Sequence, residues 1–454
     1  MSKFKSYAKW FLDSYYYPLL VFITALLTHT FSIEPFGIAV LALSAGLGFL
    51  LCEDLRFFIS PLIMFILMFS QESVASGIFY KTPYLIAIVC FAIYLFALFI
   101  AYIVINRKKL DLSIIKKSKL FLSTAILCGA FLLNGFFNFD EYVFGNVVFA
   151  LVMVISLGAI FFLFRISIKK DASTKNYLMY VLYLISMLVT LQLFISFAGQ
   201  IRFVDGGIEK ESILLGWGMW NNVGGMLSLL LPVHFYFATT SKRFGYLFYG
   251  TGLLSYLAIV LSLSRSSLLV STFIIVVCAL VSCFAGENKK VNRIITAGIA
   301  FVGVLGIIVL WDKISGILSD YLSRGFDDNG RFDIYKRGWY NFLDNPVFGG
   351  GFHSVVAQEH EFIPFLPDRC HNTVIQLLST CGIVGLLAYA FHRFQTITLF
   401  IKKRSIFTLF CALCVASLLF TSLLDNHLFN IYPGFVYSII LAVVDKCEDD
   451  YIKQ

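Results

Sequence analysis

Long apolar runs recur along the whole chain, separated by short polar links. A helix needs about 20 apolar residues to cross a bilayer. The pattern predicts fourteen spans, at 18–33, 36–52, 57–70, 84–105, 120–138, 143–164, 177–198, 215–239, 245–262, 266–285, 294–311, 372–391, 405–424 and 428–445. Pro61 and a short length leave the second and third open to being tilted or re-entrant. The fold class this predicts is all-α: a polytopic transmembrane helix bundle, with residues 1–454 as one integral membrane domain. One link, 312–371, far exceeds what a simple connection needs and predicts a folded lid or binding element.

Within that link, Asp327-Asp328-Asn329-Gly330 reads as a turn. From Arg331 to Asn345, Phe332, Tyr335, Trp339 and Phe342 recur at spacings of three and four, which predicts an amphipathic helix stopped by Pro346. Such a helix suits the headgroup level of a membrane. Gly349-Gly350-Gly351 then supplies a flexible or tightly turned stretch. No tandem repeat, low-complexity segment or separate soluble domain stands out.

Composition agrees with the pattern. Of 454 residues, 59% are hydrophobic and only 14% charged, with a mean hydropathy of +0.84. Soluble chains carry about 25% charged residues. A water-soluble domain, a disulfide scaffold and a disordered chain are therefore excluded. The net charge of +8 does not imply a nucleic-acid partner, because the basic residues sit in the short links. With the N-terminus inside, 25 of the 35 Lys and Arg fall on one side and ten on the other. That asymmetry predicts a multi-pass membrane protein with both termini cytoplasmic. The run after Pro18 is long enough to remain as an anchor, so no cleavable signal peptide is expected. The ten Cys are scattered without metal-ligand spacing, and neither a structural disulfide nor a metal or other cofactor is expected.

Charged groups at membrane depth are costly and mark partners or wet cavities. Arg265 interrupts Leu263-Ser264-Arg265-Ser266-Ser267 between two apolar spans. At a helix start its guanidinium and the free backbone N–H groups would share one space, an arrangement suited to phosphate. Read alone, it fits an arginine satisfied in the headgroup region equally well. Arg202 and Arg331 lie on the same expected side. Each alone reads as a boundary arginine, but three arginines facing one crevice would suit a diphosphate.

His371 precedes Asn372-Thr373 and an apolar helix, where a neutral imidazole would serve as a general base. A capping or interfacial histidine is the bland alternative. His353 and Glu359-His360-Glu361 read as solvated loop groups. Asp425-Asn426-His427 forms a compact polar turn suited to closing a cavity, while His29 and His234 read as packed. Gly216-Trp217-Gly218 and Asn221-Asn222-Val223-Gly224-Gly225 break the opening of the eighth span. Either a substrate pocket or close helix packing explains those glycines.

Taken in order, these motifs resemble the bacterial O-antigen ligase and polymerase superfamily. The resemblance rests on Leu263-Ser264-Arg265-Ser266-Ser267, Gly330-Arg331 through Trp339, Asp344-Asn345-Pro346-Val347-Phe348-Gly349-Gly350-Gly351, His371-Asn372-Thr373-Val374-Ile375-Gln376 and Cys381-Gly382-Ile383-Val384-Gly385. It covers roughly 200–391. It implies a metal-independent glycosyltransferase taking a glycan from a polyprenyl-diphosphate carrier on the outer face of the inner membrane. The implied acceptor is a hydroxyl of a glycan, a lipid A core or a protein, and membrane lipids are the surroundings. By the same resemblance His371 is the base, and Arg265 and Arg202 are its catalytic partners. Arg331, Asn372, Asn222 and His427 are the expected substrate-binding residues. Ser266 stands where the family often has glycine, and Trp220-Asn221-Asn222 replaces an Asn-Pro-Asn-like turn. A ligase, a polymerase of the same superfamily, and a polysaccharide or lipid transporter from another class all remain open here. So does a purely structural membrane partner.

Overall fold

The computed structural model describes residues 2–71, 82–137, 144–204, 207–309, 311, 315, 331–352 and 370–447. The Asp327–Gly330 turn, His353 and Glu359-His360-Glu361 lie outside them. The helices are α1 (Ser2–Asp13), α2 (Tyr16–Phe31), α3 (Glu34–Leu51), α4 (Ile59–Leu67), α5 (Thr82–Asn106), α6 (Ile114–Lys117), α7 (Phe121–Leu132), α8 (Phe144–Met153), α9 (Ile160–Ser167) and α10 (Ala172–Gly199). They continue as α11 (Trp220–Thr240), α12 (Gly245–Leu261), α13 (Arg265–Phe284), α14 (Lys289–Val309), α15 (Arg331–Asp344), α16 (Thr373–Lys402), α17 (Ile406–Leu424) and α18 (Ile431–Lys446). Among the described residues the only strands are β1 (Phe203–Val204) and β2 (Gly207–Ile208), an antiparallel pair two residues long.

Every one of the fourteen apolar segments is helical over most of its length. By length and composition, however, only eight helices among the described residues suffice to cross a membrane, or nine if the bent α1–α2 pair is one span. The expected count of fourteen counted apolar segments, several of which form short helices. A 12-residue helix such as α7 covers about 18 Å at 1.5 Å per residue, less than the ~30 Å hydrocarbon layer.

Flanking residues make up the difference in reach. Before α7, the Lys119 N–H bonds to Asp445; after it, the Gly135 N–H bonds to Phe348 O, at the other end of the bundle. The segment around α4 likewise runs from Asp54, which accepts from the Lys169 N–H, to Ser70, whose N–H and hydroxyl both donate to Glu34. The eighth segment starts later than expected. Leu214 and Met219 pair in a tight turn, and the helix begins only at Trp220.

Of the eight helices long enough to cross a membrane, α11 is the most buried, with its sides covered by α10, α12, α13 and α17. His234 at its middle is fully buried and bonds to Thr251, Ser186 and Ser255, a packed histidine as expected. His29 is also buried, with Nδ1 3.1 Å from Phe69 O.

At one end of the bundle, Arg165 donates to Asp445 (2.6 Å) and Asp111 (3.1 Å), and Lys446 donates to Asp111 (2.7 Å). This network ties the last helix to α9 and the 106–119 link. The candidate chemistry collects at the opposite end.

Candidate functional site

Two adjacent glycines in α11 let two other elements approach. A Cβ at Gly224 would stand 2.7 Å from the Ser264 side chain, and one at Gly225 would stand 2.6 Å from the His427 ring. Close packing, one of the two readings open for these glycines, is therefore what they permit here. Gly224 seats the start of α13, which carries Arg265, and Gly225 seats the 425–430 turn, which carries Asp425.

That turn meets the start of α16. His371 Nδ1 lies 2.8 Å from Asp425 Oδ1, with the imidazole one-third exposed and the carboxylate almost wholly buried. Burial by itself would raise the Asp425 carboxyl. The hydrogen bond from His371, with the nearby His427 and Arg331, brings it down to about 2 instead. An ionised carboxylate only accepts, so His371 Nδ1 carries a proton and donates it to Asp425.

The backbone around the pair is closely specified. His371 has φ +47°, a left-handed conformation that a non-glycine residue holds only when its surroundings demand it. Asn372 follows as the N-cap of α16, its Oδ1 accepting from the Val374 and Ile375 N–H groups and its Nδ2 donating to Leu423 O. Gln376 Oε1 accepts from both the Cys370 N–H and Asn426 Nδ2, at 2.8 Å each. One side chain thus links the residue before His371 to the residue after Asp425.

Arg265 is the first residue of α13, as the sequence suggested, and is exposed. Leu263, two residues earlier, has φ +56°. Both candidate helix starts are therefore preceded, one residue before the cap, by a left-handed non-glycine residue. At the start of α15, Arg331 Nη1 donates to Leu424 O (2.9 Å), the carbonyl directly before Asp425.

Lys210 joins this group from the 207–219 loop. Its Nζ lies 5.1 Å from the centre of the Trp220 ring. Partial burial and the positive charges of Arg265 and Arg331 lower its pKa, while Glu211 and Asp425 oppose the shift. Lys210, Arg265, Arg331, Asp425 and His371 thus share one electrostatic neighbourhood. Arg202 instead bonds Glu209 (2.8 Å) from the hairpin, with its side chain 73% exposed.

Asn222 accepts from Asn430 (3.1 Å), and His427 is buried beneath Gly225. Asn222, His427 and Asn372 thus all join neighbouring segments around the His371–Asp425 pair. Sequence reading missed Lys210, Gln376 and the pairing of Asp425. The only available signal was the polar Asp425-Asn426-His427 turn, which carries no mark of its partner.

The region is also recognisable by comparison. A search of curated proteins finds no match to the chain. A family model described as O-Antigen ligase matches residues 250–390, a stretch that contains Arg265, Arg331, His371 and Gln376 but not Arg202, Lys210 or Asp425. An O-antigen ligase domain is thus present in a polytopic membrane protein, which supports a membrane-associated glycan-processing activity of that superfamily.

Proposed function

We propose that this protein transfers a glycan from a polyprenyl-diphosphate carrier to an acceptor hydroxyl on the non-cytoplasmic face of the inner membrane. The observation that carries the reading is the 2.8 Å His371–Asp425 pair, set in one neighbourhood with three cationic side chains. The lopsided division of Lys and Arg supports placing this end outside and both termini in the cytoplasm.

In this scheme His371 Nε2 takes the proton of the acceptor hydroxyl as its oxygen attacks the anomeric carbon. The bond from that carbon to the diphosphate oxygen breaks, and the polyprenyl diphosphate leaves with the electron pair. One displacement inverts the anomeric centre. Asp425 holds the imidazole tautomer and stabilises the imidazolium that forms. Arg265, Arg331 and Lys210 stabilise charge on the departing diphosphate. Arg202 takes part only by leaving Glu209, and an exposed ion pair of that kind contributes about 0–1 kcal/mol to the fold. Asn372, Asn222 and His427 keep the walls of this crevice in place.

The test is to incubate purified protein with a polyprenyl-diphosphate-linked glycan and candidate acceptors, and to weigh the products. Single acceptor-dependent addition supports ligation, and a ladder from glycan alone supports the polymerase branch. Unchanged donor in every reaction, or wild-type rates for His371→Ala across pH, overturns the proposal.

A further inference from the structure

Two glycine-containing segments, some thirty residues apart in the chain, form a single structural unit. Gly382, with φ +62° and ψ −160°, breaks α16. In an unbroken helix the N–H groups of residues 383 and 384 would bond the carbonyls of 379 and 380. Here the Ile383 N–H donates to Pro346 O (2.9 Å) and the Val384 N–H to Val347 O (3.2 Å). The Ser379 and Thr380 carbonyls accept instead from the N–H groups of Gly350 (2.9 Å) and Gly351 (3.1 Å). The strap 346–351 therefore takes up these four backbone groups. Non-helical backbone inside a membrane-spanning helix needs such partners.

The glycines make the insertion possible. A Cβ on Gly382 would collide with Val347 O, and one on Gly349 would collide with the Thr380–Cys381 peptide. Asn341, on the last turn of α15, adds a second donor to Ser379 O (2.9 Å). At its other end α15 is held through Arg331 on Leu424 O, and at its middle Gly338 packs closely on Ile375 and Cys370. The first segment of α16 begins right after His371 and is clasped along its length.

We propose that the strap is a positioning element: by occupying the break at Gly382 it holds the outer segment of α16, and hence His371, in register with Arg331. The proposal rests on the reading of His371 and Arg331 as parts of one reaction centre. A continuous helix would satisfy the same four backbone groups without the strap. Alanine at 382 disfavours φ +62° and favours that alternative.

The experiment pairs Gly382→Ala with Asn341→Ala, in a chain whose exposed Cys90 is replaced by serine. Nitroxides on Lys336→Cys in α15 and Val374→Cys in α16 report the distance between the two helices. A disulfide between Val347→Cys and Ile383→Cys reports whether the strap is seated. Expected for Gly382→Ala are loss of the disulfide, a shifted or broadened distance, and a fall in kcat on the order of tenfold or more with a much smaller change in KM. Asn341→Ala gives the same changes in weaker form and decides the matter should Gly382→Ala fail to fold. An unseated strap with unchanged distance, or with unchanged kcat, overturns the proposal. His371→Ala measured alongside separates the two ideas: full activity there removes the base assignment whatever the distances show.

Discussion

His371 and Asp425 stand 54 residues apart in the chain, yet their side chains meet at 2.8 Å, with Gln376 linking the neighbours of each. An imidazole bound in this way has one tautomer and one orientation. Its free nitrogen faces outward, while the buried carboxylate sits ready to stabilise positive charge. Replacing Asp425 with asparagine keeps the volume and removes the charge. The expected result is a kcat lower by about 10²- to 10⁴-fold with the fold retained. Wild-type kcat in that variant would show that the carboxylate is only a wall of the crevice.

The pair also has a pH signature of its own. The Asp425 carboxyl is held at about 2, below its ordinary value. Its contribution to stability is therefore fully present above about pH 4 and lost as pH falls through about 2. Thermal unfolding of wild type and Asp425→Asn in detergent should differ at neutral pH and converge toward pH 2. A difference that persists undiminished at pH 2 would rule out the carboxylate's charge as its source.

Lys210 supplies a test at the alkaline end. Its ammonium loses its proton below the usual lysine range because of burial and the neighbouring arginines. If that charge holds the donor diphosphate, donor affinity falls as pH rises through the lowered value. Lys210→Arg, which does not titrate in this range, should push the alkaline limb of kcat/KM upward. Lys210→Met should raise KM for the donor at all pH values. An alkaline limb identical in wild type and Lys210→Arg excludes the lysine from donor binding.

The hydrophobic pattern reports burial in the membrane, and this explains both what it made legible and what it hid. It located the helical part of each apolar segment, the α15 helix and the stop at Pro346, but neither α1 nor α6. It counted crossings by apolar segments and so missed that several helices are short and complete the span with irregular flanks. It also carried straight through Gly382, because a broken helix and an unbroken one bury the same side chains. Gly349-Gly350-Gly351 suggested a turn, while its actual partner, the opened backbone of α16, lies 30 residues on and leaves no periodic trace. Arg393 lies past the expected end of the span at 391, yet it is inside α16, bonded to Tyr437 and stacked 4.4 Å from the Tyr389 ring. Lys210 hid between Glu209 and Glu211, where local sequence suggests only solvated charge.

At the far end of the bundle, Arg165 and Asp445 are both nearly wholly buried and 2.6 Å apart. Removing one member of such a pair leaves a buried charge without compensation, a loss of about 3–5 kcal/mol. Arg165→Met should lower the unfolding temperature sharply, while the double variant Arg165→Met with Asp445→Leu should recover much of the loss. A double variant no more stable than the single one would mean that the network contributes through its geometry rather than its charge balance.

The sidedness of the molecule follows from the same two ends. Lys336 on α15 is exposed beside the candidate site, and Lys170 is exposed near the buried network at the opposite end. With Cys90 replaced by serine, a membrane-impermeant maleimide applied to intact spheroplasts should label Lys336→Cys and spare Lys170→Cys until the membrane is opened. The opposite pattern would put His371 on the cytoplasmic side, where the proposed transfer to an outer acceptor fails. Equal labelling of both before permeabilisation would mean that the membrane does not separate the two ends. The division of basic residues favours the first outcome, because moving each Lys or Arg-rich link across a bilayer is opposed at every one of them.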